Sequence, residues 1–536
     1  MTGNGATTSG ELRAHNRVRL LRAVHDGGAT RTRSQLTRDL DLARGTASVL
    51  VGGLTEDRLL HEEPAPEHGR GRPTMIPGPH PHGPVVLAAD VREDSWELAA
   101  CELGGRVTVL AVRPHDGTPE GAFLPLGAAI ATHGARYGDR VVGVGVAVAG
   151  PVRPDGRVDV SHLRWRAIDV PALLSQGAST SRDLPSDNPA GLPAHQGPAA
   201  HGSPGPSDRP AHANLATTDP GPADQRAPGL SGDPTDRPAR AEHPGSAECG
   251  GMRASGLRFP RQNARDPADR PAHATENPVA ADRGGVGAAG FGLAGQAGGD
   301  PLSVFGEMIV PGVRVGNDTA LAGLAEARRG RLRGVGIGLH LHVDFDLGGV
   351  LVVGGRPLGG ASGAGAEFGH MALGGPGAGE PALCMCGARG CWGMDVGANA
   401  LLRHLGLEYG GGRGRGQAEE ILARAEDGDE GAGEAVLAVV GALGRGIAAL
   451  VNAHDPEVVT LSGLGADLLD RAGAELRAAG EPWLMTIRRE SPPPIVASAL
   501  RWRGSLLGAM EAVFDAFLTP AGLASWTGSD TPGNKV

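Results

Sequence analysis

Apolar and polar positions follow two rhythms along this chain, and the change from one to the other divides it. Between residues 11 and 57 the apolar positions recur at helical spacing. Val18, Leu20, Leu21 and Val24 place an amphipathic helix over 11–26, which stops at Gly27-Gly28. Thr32, with Gln35 three residues on, is the signature of a capping box for a second helix through Leu40. Residues 44–57 read as a third helix with Val49, Leu50 and Leu54 facing inward. Leu59-Leu60-His61-Glu62 and the basic Gly69-Arg70-Gly71-Arg72-Pro73 read as a β-wing and its exit. Three short helices and a wing make the order of a winged helix-turn-helix, whose third helix enters the DNA major groove. Arg44, Thr46 and Ser48 are the candidates to face the bases, and Arg70 and Arg72 to enter a narrow minor groove. Gly45, Gly52 and Gly53 count against a robust third helix, at about 1 kcal/mol each relative to alanine.

Residues 74–83 are rich in Pro, Gly and His and read as a linker. From Val85 the rhythm changes to short apolar runs of strand length. Strands over 85–90, 96–100 and 107–112 form a meander, followed by a helix near 120–136 and a strand over 141–148. After a break, Val313-Arg314-Val315 leads as a strand into Gly316-Asn317-Asp318 and a helix over 319–329 that carries Glu326. Residues 337–341 and 350–353 read as a hairpin around an acidic turn. Helices over 417–427 and 433–453, strands over 458–461 and 495–497, and a helix over 505–517 close the chain. Mixed strands and helices of this kind predict an α/β fold.

The break, residues 177–300, is dense in Pro, Gly, Ala, Asp and Arg, with Phe259 and Phe291 as its aromatics. Asp208-Arg209-Pro210-Ala211-His212 recurs at Asp269-Arg270-Pro271-Ala272-His273. Such a stretch buries too little apolar surface to offset its ordering entropy and is expected to be a disordered insertion. The formal net charge is -10, and Lys535 is the one lysine. Residues 1–80 hold 11 arginines against 9 acids, a net of +2, so the remainder carries -12. Nucleic-acid contact is therefore expected at the N-terminus and not elsewhere. The greasiest stretch, 141–148, is far short of the roughly 18 residues of a membrane span, and no basic region with an apolar core opens the chain. A cytoplasmic protein with no membrane partner is expected.

His370, Cys384, Cys386 and Cys391 fall close together, and thiolates with an imidazole close a tetrahedron around Zn²⁺. A Cys₃His set predicts a structural zinc loop. Glu367-Phe368-Gly369-His370 followed by Cys384-Met385-Cys386-Gly387 and Gly390-Cys391 resembles the signature of the ROK family, of repressors, open reading frames and kinases. That family includes bacterial sugar kinases and sugar-responsive transcription factors. The resemblance implies a bilobal actin/hexokinase-like (ribonuclease H-like) domain whose zinc loop borders a sugar site. The N-terminal order of elements, with Asn16-Arg17 in the first helix, resembles the DNA-binding domain of the family's repressors, which its kinases generally lack.

The layout then reads as a winged helix-turn-helix over 11–73, a linker over 74–83, a first lobe over 84–176 and the insertion over 177–300. The remainder of the domain, with second lobe, zinc loop and C-terminal helices, runs over 301–520, and a flexible tail over 521–536.

Carried over residue by residue, Asp318 matches the family's catalytic base, and Asn317, Glu367 and His370 match sugar contacts. Leu163-Arg164-Trp165 resembles the substrate loop, and His162 stands where asparagine is common. Gly393 stands where a sugar-binding glutamate is usual, and Trp392 beside it is a candidate to stack on a sugar face. Both phosphate loops depart from the family. One reads Asp90-Val91-Arg92-Glu93-Asp94 in place of Asp-x-Gly-Gly-Thr, and the other Asp344-Phe345-Asp346-Leu347-Gly348 in place of Gly-Thr-Gly-Ile-Gly. Bulky side chains replace the glycine cradle, and new acids repel a polyphosphate. The expectation is a sugar-responsive, DNA-binding repressor, a homodimer or homotetramer on operator DNA, with Asp318 a vestigial base. The alternative is an ATP-dependent hexose kinase of the same family with a DNA-binding appendage. A third class is a regulator that answers a protein partner through the insertion.

Overall fold

Local sequence rules account for the N-terminal head. The computed structural model describes residues 9–65, 74–182, 312–373, 381–410 and 414–526. Helix α1 (Ser9–Asp26) is followed by α2 (Arg33–Asp39) and α3 (Arg44–Glu56). The capping box forms in full: the Gln35 amide donates to Thr32 Oγ1 at 3.2 Å, and the Thr32 amide donates to Gln35 Oε1 at 2.8 Å. Helix α3 buries Ala47, Leu50, Val51 and Leu54. Val49 does not face inward as its hydrophobicity predicts; it is 56% exposed. At 3.6 residues per turn, Ala47, Leu50, Val51 and Leu54 fill the inner face and leave Val49 on the outer one.

The wing pairs β1 (Leu60–Pro64) with β2 (Met75–Pro79) antiparallel, and the Ala65 amide donates to Thr74 O at 2.7 Å. Its second strand comes from the stretch expected as linker. The basic residues 69–73 therefore lie between the wing's two strands in sequence, and Arg70 and Arg72 are outside the described residues.

The body then runs β3 (Val85–Val91), β4 (Ser95–Glu102), β5 (Val107–Pro114), α4 (Pro119–Tyr137), β6 (Val141–Val148), β7 (Val158–Val160), β8 (Trp165–Ile168) and α5 (Val170–Arg182). Helix α5 thus extends six residues into the stretch assigned to the insertion; the rest of that stretch, with its repeats, lies outside the described residues. The chain continues with β9 (Val313–Asn317), α6 (Asp318–Arg329), β10 (Ile337–Val343), β11 (Leu347–Val353), β12 (Arg356–Pro357) and α7 (Ala398–His404). Next come α8 (Gly414–Glu426), α9 (Glu430–His454), β13 (Val458–Gly463), α10 (Leu464–Gly480), α11 (Thr486–Glu490) and β14 (Ile495–Ala497). Helices α12 (Gly504–Phe517) and α13 (Pro520–Ser525) close it.

Two five-stranded sheets form the lobes, in the orders β5-β4-β3-β6-β9 and β12-β11-β10-β13-β14. Every residue of β3 is buried, because the first sheet is covered on both faces, by α4 and α5 on one and by α12 and α6 on the other. Strand β9 pairs parallel with β6, so the chain after the insertion returns to finish the first lobe. Helix α12 likewise packs on β6 and β3, not in the second lobe as its place near the C-terminus suggests.

Helix α9 is the apolar run that the sequence reading missed. Its best 18-residue window has a mean hydropathy of 1.8, enough by length and composition to cross a membrane. Alanine and glycine hide this from the eye, and 67% of the window is buried. Its neighbours are α8 and α10, with Trp392 at mid-helix.

Head and body share one hydrophobic cluster, in which Leu20, Leu21 and Val24 meet Cys101, Leu103, Leu324, Met510 and Phe514. Inside it lies a charged joint. His25 and Glu511 are fully buried, with Nε2 3.1 Å from Oε2, and Arg329 Nε donates to the other Glu511 oxygen. Arg329 also donates to the carbonyls of His25 at 3.2 Å and Gly104 at 3.1 Å. Beside it Asp515 accepts from Arg22 at 2.5 Å and from Arg328 at 3.0 Å. The stretch expected as a flexible tail begins instead with α13, and the Trp526 indole N–H donates to Asp57 O at the end of α3 at 2.8 Å.

Candidate functional site

A cleft of about 540 Å³ opens between the lobes. It lies at the carboxyl ends of the parallel strands β3, β6 and β9, where open α/β sheets place their ligands. The first lobe lends it Asp90, Gly150, Asn317 and Asp318; the second lends the turn between β10 and β11, then Glu367, His370 and the cysteine loop.

All four expected sugar contacts reach this one cleft. Asn317 is also the N-cap of α6: its Oδ1 accepts from the Ala320 amide at 2.9 Å, while Nδ2 donates to Gly150 O at 3.1 Å. Asp318 Oδ1 accepts from the Thr319 amide at 2.6 Å. Burial, reinforced by the neighbouring Asp90, pushes the Asp318 carboxyl up to about 7. Burial also raises Glu367 to about 7. Two such carboxyls can donate or accept hydrogen bonds near neutral pH, which suits a polyhydroxylated ligand. Trp392 is not available for stacking. It is 1% exposed, and its indole N–H donates to Ala442 O of α9 at 2.9 Å.

The acids of the two departed loops are not bare, as simple like-charge repulsion assumes. Arg92 donates to Asp90 at 2.9 Å and to Glu97 at 3.2 Å. Arg415 of α8 pairs with both oxygens of Asp344 and lies 3.8 Å over the Trp502 ring. The turn's own carbonyls are taken as well: Asp344 O and Phe345 O accept from the Ala398 and Asn399 amides at the start of α7. A polyphosphate would have to displace Asp344 from Arg415 and leave a carboxylate stranded, at a cost of about 3–5 kcal/mol. Each loop thus holds an ion pair of its own, Asp90 with Arg92 and Asp344 with Arg415.

The cysteine loop brings its four expected ligands together, with one donor atom of each within 4.8 Å of the others. Gly387 at φ 96° and Gly390 at φ 70° make the turns that aim them, in a region closed to most side chains. Zn–S bonds of about 2.3 Å set neighbouring sulfurs about 3.8 Å apart in a tetrahedron. Cys386 and Cys391 Sγ are 3.7 Å apart, and Cys384 Sγ is 3.8 Å from His370 Nδ1. The donor set therefore fits a metal ion of zinc's size and ligand preference. His370 Nε2 faces the other way, 3.9 Å from Glu367 Oε2, so one imidazole can serve the metal and the cleft together.

In the head, Arg44, Thr46 and Ser48 are exposed, Arg44 and Ser48 on one flank of α3 and Thr46 on the other. His162, noted in the sequence as a departure from asparagine, lines the cleft, and three further groups that line or support it escaped the sequence reading. His162 stands 3.5 Å from Glu93, and burial pushes it down to about 4. Arg415 with Trp502 forms the stacked wall. Beneath the cleft, His340 Nδ1 meets Thr460 Oγ1 at 2.8 Å, and His342 Nδ1 meets Ser462 Oγ at 2.8 Å, both imidazoles pushed down to about 4 by burial. The alternation Leu339-His340-Leu341-His342 was the available signal, since period two puts both histidines on one face of a strand.

The ROK family model matches residues 306–515. Glucokinases of Streptomyces coelicolor and Streptomyces lividans are each 27% identical over 215 residues, 37% of this chain and 66% of theirs. The Thermotoga maritima glucokinase is 31% identical over 160 residues, 27% of this chain and 49% of its own. The chain thus spans just under two thirds of the length of the first of these relatives and about half of the last. A crystal structure of a ROK family transcriptional regulator, a homolog of the E. coli MLC protein, aligns with a TM-score of 0.54 at 16% identity. It covers 96% of this chain and 99% of its own, which is a likeness of fold from head to body.

Proposed function

We propose that this chain is a ROK-family, ligand-responsive, DNA-binding transcriptional repressor without kinase activity, acting as a dimer on a palindromic operator. Its ligand is a sugar or sugar derivative held by Asn317, Asp318, Glu367 and His370. A structural zinc held by His370, Cys384, Cys386 and Cys391 fixes that wall of the cleft and supplies no chemistry. Arg44, Thr46 and Ser48 face the DNA, with Arg70 and Arg72 at the wing.

One observation carries the reading: helix α6 has one end in the cleft and the other in the joint beneath the head. Its first residue is Asp318, and its last two, Arg328 and Arg329, hold Asp515, Glu511 and the carbonyl of His25. Twelve residues of helix span about 18 Å as a stiff rod. A ligand that draws Asn317 and Asp318 toward the second lobe therefore also moves the seat of α1. By linkage, operator DNA lowers ligand affinity by the factor by which ligand lowers DNA affinity.

The test is a mobility shift with duplexes from upstream of the protein's own gene, with and without Arg44→Ala, across a panel of hexoses and their derivatives. Retarded duplex, lost in the variant and released by one sugar, is the expected result. Absence of any shift at low salt overturns it.

Asp318 supports a second reading, a kinase that uses it as general base, since a carboxyl near 7 is matched to that task. Coupled ADP release from ATP on the same hexose panel, abolished by Asp318→Asn, would establish it. We expect no turnover.

A further inference from the structure

The outer face of α3 is unlike its inner one in a way that neither helix stability nor packing explains. Gly45, Val49 and Gly52 stand at positions i, i+4 and i+7, on the crest directly opposite the buried Ala47, Leu50, Val51 and Leu54. Val49 is 56% exposed. A Cβ added at Gly45 or at Gly52 would meet nothing within 4 Å, and both glycines keep ordinary helical backbone. Nothing among the described residues requires either glycine, although each weakens the helix by about 1 kcal/mol relative to alanine. What benefits from them lies outside: a surface that comes close to the helix backbone on both sides of one apolar side chain.

The major groove is about 12 Å wide and a helix with its side chains is about 10–12 Å across, so a helix slimmed at two crest positions seats deeper. We infer that Val49 is a specificity-determining residue, its isopropyl group packing on the C5-methyl group of one thymine per half-site in the major groove. A thymine methyl is the one apolar group that a base edge presents there. Valine suits it because a β-branched side chain on a helix holds essentially one χ1 and loses little freedom on contact. The flanking exposed Arg44 and Ser48 sit on the same side of the crest and supply phosphate or polar contacts, and α3 carries no acid before Glu56. A protein partner fits this surface poorly, since a stable interface buries about 800 Å² per side and this crest offers one apolar side chain.

The inference rests on the reading that the head binds duplex DNA, and the experiment separates the two. The full chain and its Val49→Ala variant are each used to select from a random duplex library, followed by sequencing. The variant changes only an exposed position and raises helix propensity, so the head stays folded. Wild type is expected to select a motif with an invariant T·A pair in each half-site, and the variant to lose preference at that pair alone. Replacing that thymine by deoxyuridine, which removes only the methyl group, is expected to weaken wild type about fourfold, the worth of one buried methyl, and the variant not at all. Selection of no motif by wild type overturns the DNA-binding reading itself. A clear motif with deoxyuridine tolerated equally by both proteins, or penalised equally in both, overturns the role of Val49 and leaves that reading standing.

Discussion

A single side chain in this cleft often serves two masters, and the energetic consequence can be measured. His370 presents Nδ1 to the thiols and Nε2 to Glu367. Loss of metal should therefore reach the cleft as well as the loop. Elemental analysis is expected to find one equivalent of zinc in wild type and none in Cys386→Ser, which should also melt at a lower temperature, because a structural zinc contributes its binding energy to folding. Asp318 makes the opposite kind of contribution. Its folded carboxyl lies near 7 against an ordinary value of 3.8, so between those values the native state holds a proton that the unfolded state has released. Stability from this group is then lost as pH rises from about 4 to about 7. Asp318→Asn, which stays neutral, is expected to match wild type near pH 4.5 and to melt several degrees higher at pH 8. A melt of wild type that is the more stable at pH 8 would sink this account.

Where elements meet, close approach decides the outcome, and sequence rules see only part of it. Trp392 follows Cys391 directly, and its ring lies where a Cβ on Gly446 would be, 2.0 Å from the indole. Gly446→Ala should displace that ring, strand the indole N–H that donates to Ala442 O, and so loosen the metal loop from α9. The expected effect is about 2–4 kcal/mol in urea unfolding, with weaker retention of zinc against a chelator. Element by element, local signals were legible: the Thr32–Gln35 box, the strand-length runs from Val85 and the hairpin around Asp344–Asp346 all form where the sequence put them. Three things were not legible, each for a physical reason. Hydrophobicity alone points Val49 inward because it carries no direction; only the helical phase set by its buried neighbours does, and it turns Val49 outward. The second strand of the wing was hidden by Pro77 and Pro79, which disfavour a strand except at an edge such as this two-stranded one. Of the cleft, the gathering of His370, Cys384, Cys386 and Cys391 was legible because their spacing is local. The pairs Asp344–Arg415 and Glu511–Arg329 join residues 71 and 182 positions apart, and no periodicity reports them.

Across the whole molecule, the joint between head and body is polar where simple stability would make it apolar. Burial alone would raise the Glu511 carboxyl, but His25 and Arg329 together hold it down at about 2. A depressed carboxyl gives stability that is present above its ordinary 4.5 and lost as pH falls through that value toward 2. Head docking should thus weaken on acidification in that window. Hydrogen exchange should report faster opening of α1 than of the β3 core. Removing one partner is worse than removing both. Arg329→Met leaves Glu511 with His25 as its remaining partner and should cost about 3–5 kcal/mol, whereas Arg329→Met with Glu511→Leu should recover most of that loss by packing, His25 keeping the bond its Nδ1 accepts from the Gly104 amide at 3.1 Å. If the joint serves signalling, the double variant will hold its head as firmly as wild type while losing the discrete ion pairs through which α6 grips α1. Its DNA affinity should then no longer respond to the sugar that releases wild type. A double variant that regains stability and still releases DNA on sugar binding would mean that apolar contact alone carries the signal, and that these charges set only where the head sits.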